Sequence, residues 1–268
     1  MGASFRSPAQ VARRLRLLPL ALKHLKNWGS FIFHYALGLT PQSAYRFRNG
    51  ASVQIARALD HVPLIEVFLR QDYGKIADKA VVLDLGANIG AFSIYAATTA
   101  RSVQVYAYEP FPAFFELLQR NIRQNRLEET VRCFNLAVAS DASNRDLQTQ
   151  GADLFFPRLR RETNAAAAPP QFRTVLCTTL SDILRVNALA TVDLLKMDCE
   201  GSEYEILYST PASIFSRIKE LRIEYHNLSA PEENVQNLKR FLNASGYTVI
   251  HEKPISETNG NLWAQRRS

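Results

Sequence analysis

The sequence predicts an α/β protein built on a doubly wound, seven-stranded, mostly parallel sheet, preceded by a helical and hairpin extension. Three observations carry that reading. Val81, Val82, Leu83 and Leu85 form a short apolar run interrupted only by Asp84 and followed by small residues, the composition of a parallel strand covered on both faces. Further apolar runs of that kind alternate with helical patterns down to the C-terminus. At 268 residues with 47% apolar content, the chain is long enough to bury a substantial core around such a sheet.

The first strand, Ala80 to Leu85, ends in a turn, Gly86-Ala87-Asn88-Ile89-Gly90, and a helix is expected from about Gly90 to Thr99. Gly86 and Gly90 remove side chains where a ligand or helix must approach the backbone, and Asn88 tolerates a left-handed conformation. Such a turn brings backbone N–H groups and a helix N-terminus to a bound cofactor. Asp84 strengthens the case, because a carboxylate at the mouth of a buried strand costs desolvation energy unless something there uses it. A dinucleotide fingerprint requires glycines at 88 and 91, where this chain has Asn88 and Ala91.

The second strand, Val103 to Tyr108, ends at Glu109-Pro110, 19 residues beyond Gly90. A carboxylate there is placed to grip ribose hydroxyls in αβ nucleotide folds, and Pro110 and Pro112 suit a helix start. The third strand is predicted over Val131–Ala139. Residues 143–172 break the pattern with Arg158, Arg160, Arg161, an alanine run and Pro169-Pro170, and read as a solvated loop or a lid. Val175 to Thr178 is expected to rejoin the sheet, and a helix to follow at Leu180.

Strand four and its exit run from Val192 to Glu203. Lys196, Asp198 and Glu200 are two apart and share one face while the chain is extended. A lysine and three carboxylates at the mouth of a core strand are expensive unless paired or used. Asp198, Glu200 and Glu203 offer oxygen ligands for a divalent cation, but Lys196 competes for them, and no metal is expected. Strand five, Leu221 to His226, brings Glu224 and His226 beside this cluster, with His226 a candidate base. A helix from Glu232 to Ser245, a strand Tyr247–His251 and a last strand near Leu262 complete the set, with Gly260-Asn261 as the connecting turn.

The net charge of +7 is lopsided. Residues 1–59 carry nine cations and no acid, and the rest is nearly neutral. Val11, Leu15, Leu18, Leu22 and Leu25 mark one face of a helix that Pro19 should kink or divide. This basic helix is expected to dock on the main domain, on a second subunit, or peripherally on a membrane. No nucleic-acid contact is expected, since no nucleic-acid-binding module accompanies it. No secretory signal or transmembrane segment is expected, and the Met1-Gly2 start lacks the Ser or Thr at position 6 that myristoylation wants. Asn49-Gly50 between Tyr45–Arg48 and Ala51–Ile55 predicts a two-residue hairpin turn, and a short helix is expected over 60–70. Cys133, Cys177 and Cys199 are an odd number without a C-x-x-C, which fits free thiols in a reducing, cytoplasmic setting. The expected division is an extension over 1–74 and a cofactor-binding domain over 75–268.

Taken together, Val82–Gly90, Tyr108-Glu109-Pro110, Thr179–Asp182 and Leu195-Lys196-Met197-Asp198-Cys199-Glu200-Gly201-Ser202-Glu203 resemble the FkbM family of S-adenosylmethionine (SAM)-dependent methyltransferases. Glu224-Tyr225-His226, Asn27-Trp28 and Arg48-Asn49-Gly50 are similar to that family as well. The resemblance implies a class I, Rossmann-like methyltransferase fold. It implies SAM held by Asp84, Gly86, Ala87, Asn88, Gly90, Glu109, Pro110 and Asp198, with Lys196, Asp198, Glu200 and His226 at the chemistry. It further implies methyl transfer to a hydroxyl of a sugar, glycan, polyketide or related natural product. The rival readings are a nicotinamide-dependent oxidoreductase on a similar sheet and a non-catalytic binding protein. The missing glycine at 91 and the Lys-Asp-Glu cluster oppose the first, and the intact Asp84, Gly86, Gly90, Glu109 and Asp198 oppose the second.

Overall fold

The computed structural model describes residues 8–41, 44–149, 158–159 and 171–267. Its centre is a seven-stranded sheet whose strands we number β1 (Val81–Leu85), β2 (Gln104–Tyr108), β3 (Val131–Phe134), β4 (Val192–Met197), β5 (Ile218–His226), β6 (Tyr247–Pro254) and β7 (Asn259–Arg266). The spatial order is β6-β7-β5-β4-β1-β2-β3, with β7 antiparallel to both neighbours and the remaining pairs parallel. Alternation along β1 sends Val82 to one face of the sheet and Leu83 and Leu85 to the other, where two separate apolar cores bury them completely. The order reverses between β1 and β4, and a crevice at their carboxyl ends follows from that topology.

Five helices cover the sheet: α1 (Ala91–Thr99), α2 (Pro112–Gln124), α3 (Leu180–Val186), α4 (Glu203–Ser209) and α5 (Val235–Ala244). Thr179 caps α3 by accepting the Asp182 N–H at 3.1 Å, and Asn234 caps α5 with bonds from Gln236 and Asn237.

Several expectations are corrected. The third strand does not run to Ala139. It leaves the sheet at Asn135, whose side-chain amide donates to the carbonyls of Glu109 and Pro110 and turns the chain toward the end of β2. Ala137–Val138 then pairs in parallel with Cys177–Thr178, so the return after the excursion joins this small ladder and not the main sheet. Arg145–Thr149 pairs antiparallel with Gln171–Val175 and with Arg158–Leu159; the rest of the predicted lid, 150–157 and 160–170, lies outside the described residues. Gly260 and Asn261 sit inside β7, and the turn is Ile255–Thr258. Gly260 is small because a Cβ there would lie 2.5 Å from the Tyr225 hydroxyl.

In the extension, the predicted helix divides before Pro19 into Pro8–Leu15 and Leu18–His24, followed by a third helix, Trp28–Leu37. The apolar stripe therefore does not stay on one face. Leu25 is fully buried, while Leu15 and Leu22 are exposed. The Asn49-Gly50 hairpin closes over three residues, since Phe47 N–H donates to the Ala51 carbonyl and Gly50 takes the left-handed position of a bulged turn. The expected helix over 60–70 is a tight turn at Ala58–Asp60, one α-turn at His61–Leu64 and a π-helical segment at Ile65–Arg70. Tyr45 donates a 2.8 Å hydrogen bond to buried His61, and Phe47 stacks on Phe68, whose ring meets Tyr95 of α1 edge-on and so ties the extension to the domain. All three cysteines are free thiols, and no helix among the described residues is long and apolar enough to cross a membrane.

Candidate active site

The glycine turn is held from three sides. Gly86 and Ala87 N–H both donate to the Tyr108 carbonyl at 3.0 Å, which locks the turn to the end of β2. Gly86 has φ +72°, and a Cβ on it would stand 1.9 Å from the Asp198 carbonyl oxygen. The close approach of the turn to the β4 exit therefore requires glycine. Asn121, fully buried on α2, donates to the Ile89 carbonyl and exchanges bonds with the Gln54 backbone, tying turn, helix and extension together. Sequence patterning gave no signal for Asn121 beyond its place on the inner face of α2.

Asp84 lies beneath the turn, fully buried. One oxygen accepts the Ser93 hydroxyl at 2.6 Å, and the other pairs with Lys196 Nζ at 3.1 Å. Lys196 also donates to the Gly86 carbonyl at 2.8 Å. Burial works against its charge, but Asp84 and Asp198 outweigh that and hold it protonated. The expected face of Lys196, Asp198 and Glu200 does not form. β4 ends at Met197, and Glu200 adopts a left-handed φ of +53°, so Lys196 serves the turn while Asp198 and Glu200 face elsewhere.

Glu109 closes the crevice at the end of β2. Its carboxylate accepts the N–H groups of Asn88 and Phe111, each at 2.8 Å. Burial nevertheless pushes its pKa up to about 7, outweighing the two N–H donors and the nearby charge of Lys196. The Asn88 side-chain oxygen nearby is buried and accepts no bond. A buried carboxylate short of donors and an orphaned amide oxygen beside a glycine turn fit a ligand that brings hydroxyl and amino donors, as a nucleoside does.

Beside this turn opens a cavity of about 320 Å³ lined by Asn88, Asp198, Glu200, Glu224 and His226, and closed by the 57–66 segment and Thr258-Asn259. Five carboxylates line it, of which Asp60 is paired with Arg57. Glu66, Glu200 and Glu224 are each pushed up to about 8 by burial and by the charge of Asp198; Asp198 is itself raised by burial. No hydrogen bond or ion pair among the described residues engages the Asp198 carboxylate. His226 is held between Glu203 at 3.3 Å and Glu200 at 3.5 Å. Burial would lower its pKa, but Glu203, Asp198 and Glu200 push it up to about 9, so it is an imidazolium at neutral pH.

Glu203, one of the three carboxylates the sequence offered as oxygen ligands, turns back to accept the N–H groups of Cys199 and Gly201. It therefore does not converge with Asp198 and Glu200 on a cation. Atoms of Asp198, Glu224 and His226 do lie within 4.8 Å of one another, a group the spacing within a single strand could not reveal. Glu66 was equally hidden, because the extension delivers it from a distant part of the chain.

The sheet order with its single switch point and the glycine turn at that point define a doubly wound nucleotide-binding α/β protein. Residues 84–249 match the model of the methyltransferase FkbM domain, and the chain belongs to that family of methyltransferases. Among curated relatives, it is 27% identical over 245 residues to the 31-O-demethyl-FK506 methyltransferase FkbM of Streptomyces tacrolimicus, covering 78% of this chain and 90% of that protein. It is 23% identical over 207 residues to methyltransferase sdnD of Sordaria araneosa, covering 68% and 79%. Among solved structures, the methyltransferase FkbM of Methylobacillus flagellatus KT aligns with a TM-score of 0.49 at 14% identity, covering 96% of this chain and 60% of that one.

Proposed function

We propose that the chain transfers a methyl group from SAM to a hydroxyl oxygen of a small-molecule or glycan acceptor: a sugar, glycan, polyketide or related natural product. The observation that carries this reading is the position of Asp198. Among the described residues it is a carboxylate without a hydrogen-bond donor, on the wall of a cavity that is also lined by Asn88 of the glycine turn. The name of the Streptomyces tacrolimicus relative, which specifies an O-demethyl substrate, points the same way for that protein.

SAM supplies a methyl group on a sulfonium, a leaving group that needs no further activation. What the chain contributes is alignment and the handling of one proton. Glu109 and the Gly86–Gly90 turn hold the nucleoside, with Lys196 and Asp84 keeping the turn in place from below. The acceptor enters between the 57–66 segment and the ends of β4 and β5. Asp198 takes the hydroxyl proton. His226, already protonated, is a positioning residue: with Glu200 and Glu203 it sets the charge around Asp198 and orients the acceptor.

The test is incubation with isotopically labelled SAM and a panel of hydroxylated sugars and polyketides, followed by assignment of the methylated atom by NMR. Label on oxygen supports the reading. Label on nitrogen or carbon, with hydroxyl acceptors inert, overturns it.

A further inference from the structure

The helix Trp28–Leu37 contains no Asp, Glu, Lys or Arg, and only one side of it is covered. Phe31, Ile32 and Ala36 are buried, whereas Phe33 is 56% exposed and Leu37 46%. A helix without a polar face is ordinarily enclosed all round. Leu15 and Leu22 on the two helices packed against this one, with Trp28 and Leu39 at its ends, are each about two-fifths exposed or more. Six of the ten large apolar side chains exposed on the described surface thus fall within residues 15–39, which marks a patch and not the ordinary scatter.

The charges around this patch have one sign. Arg13, Arg16, Lys23 and Lys26 are exposed on the flanking helices and turns, and no carboxylate precedes Asp60. Exposed Arg46 and Arg48 are bound into the same layer: Lys26 N–H donates to the Arg46 carbonyl, and Arg48 Nε donates to the Leu22 carbonyl. Asp60 itself is buried and paired with Arg57.

We propose that this helical layer, residues 8–39 with Arg46 and Arg48, docks on an anionic lipid bilayer surface. Apolar groups enter the headgroup–acyl boundary, and the surrounding cations meet lipid phosphates. A second copy fits poorly, since a two-fold contact would set six uncompensated cations against six more. Nucleic acid has no use for six exposed apolar side chains. The other side of the same helix reaches the wall of the cavity. Phe31 and Tyr35 pack on His61 with ring centroids 5.4 and 5.6 Å apart, and His61 belongs to the 57–66 segment that walls the cavity.

The experiment is co-sedimentation of the full chain, without SAM or acceptor, with phosphatidylcholine vesicles containing or lacking about a quarter phosphatidylglycerol. Because no methyl transfer is measured, its result is independent of the catalytic reading. Expected is binding to the anionic vesicles alone, weakened at least about tenfold between about 0.1 and 0.5 M salt. The Lys23→Glu/Lys26→Glu pair and the Phe33→Ser/Leu37→Ser pair should each weaken it by at least about tenfold. All four side chains are exposed, so the thermal midpoint should not move, and the salt series on the unaltered chain tests the idea without any variant. Equal sedimentation with neutral vesicles overturns the proposal. So does absence of binding to anionic vesicles, a dimer that the Phe33→Ser/Leu37→Ser pair dissolves while vesicles do not bind, or capture of an oligonucleotide in place of vesicles.

Discussion

Lys196 reaches from β4 to the turn after β1, donating to the Gly86 carbonyl at 2.8 Å and pairing with Asp84 at 3.1 Å. The lysine of the strand-four motif thus braces the glycine turn of strand one. Lys196→Met leaves Asp84 as a buried, unpaired charge, which costs about 3–5 kcal/mol. Chemical denaturation should show that loss, and Lys196→Met/Asp84→Asn should recover much of it. Equal losses in the single and double variants would remove the pairing argument.

Gly86→Ala should be more damaging than its size suggests. The new Cβ would meet the Asp198 carbonyl oxygen at 1.9 Å, in a backbone conformation that already disfavours a side chain by about 1–2 kcal/mol. Relief of the clash must move either the turn or the β4 exit. Both cofactor affinity and turnover should therefore fall, measured by calorimetry with S-adenosylhomocysteine and by methyl-transfer rate.

Cofactor affinity should depend on pH through Glu109. Burial pushes its carboxyl up to about 7, and ribose hydroxyls donate to the ionised form, so affinity should rise as pH increases through 7. Calorimetry should find S-adenosylhomocysteine bound about tenfold more weakly at pH 6 than at pH 8. Glu109→Gln should bind more weakly and lose this dependence.

Turnover should show two limbs. The acid limb reports Asp198, which must lose its proton before it can accept one from the acceptor, and whose pKa burial raises. The alkaline limb reports His226, whose proton leaves near pH 9. Asp198→Asn should lower kcat by about 10²- to 10⁴-fold. His226→Gln should remove the alkaline limb and cost less. The measurement is the pH profile of kcat with saturating SAM.

Chelation provides a separate check on the Asp198, Glu224 and His226 group. Both ring nitrogens of His226 face carboxylates, and the ring carries a proton, so the third ligand of a cation site is occupied. Transfer is expected to persist in EDTA. A loss reversed by added magnesium or manganese would place a cation there.

The apolar composition around Val81–Leu85, Val192–Met197 and Leu221–His226 was enough to read the central strands of the sheet, because a parallel strand buried on both faces has little freedom in what it may contain. The carboxylate of Glu109 and the turn from Gly86 to Gly90 were legible for the same reason: a backbone-built site leaves a local signature in residue size and spacing. What spacing could not convey is where a side chain points once the strand stops. Lys196 and Asp198 are two residues apart, yet one goes under the turn and the other to the cavity, since the strand ends at Met197 between them.

Tertiary structure alone decided who shares the cavity. Glu66 arrives from the extension, Glu224 and His226 from β5 and Asp198 from β4, and their shifted proton affinities come from mutual proximity and burial, which no local pattern encodes. The glycine at 260 makes the same point in reverse. Read locally it is a turn; in the fold it is a gap left for the ring of Tyr225. Sequence by itself determined which backbone frame forms and where in it the glycine turn stands. The packing of distant segments determined which groups stand ready to move a proton, because desolvation and charge act through space and not along the chain.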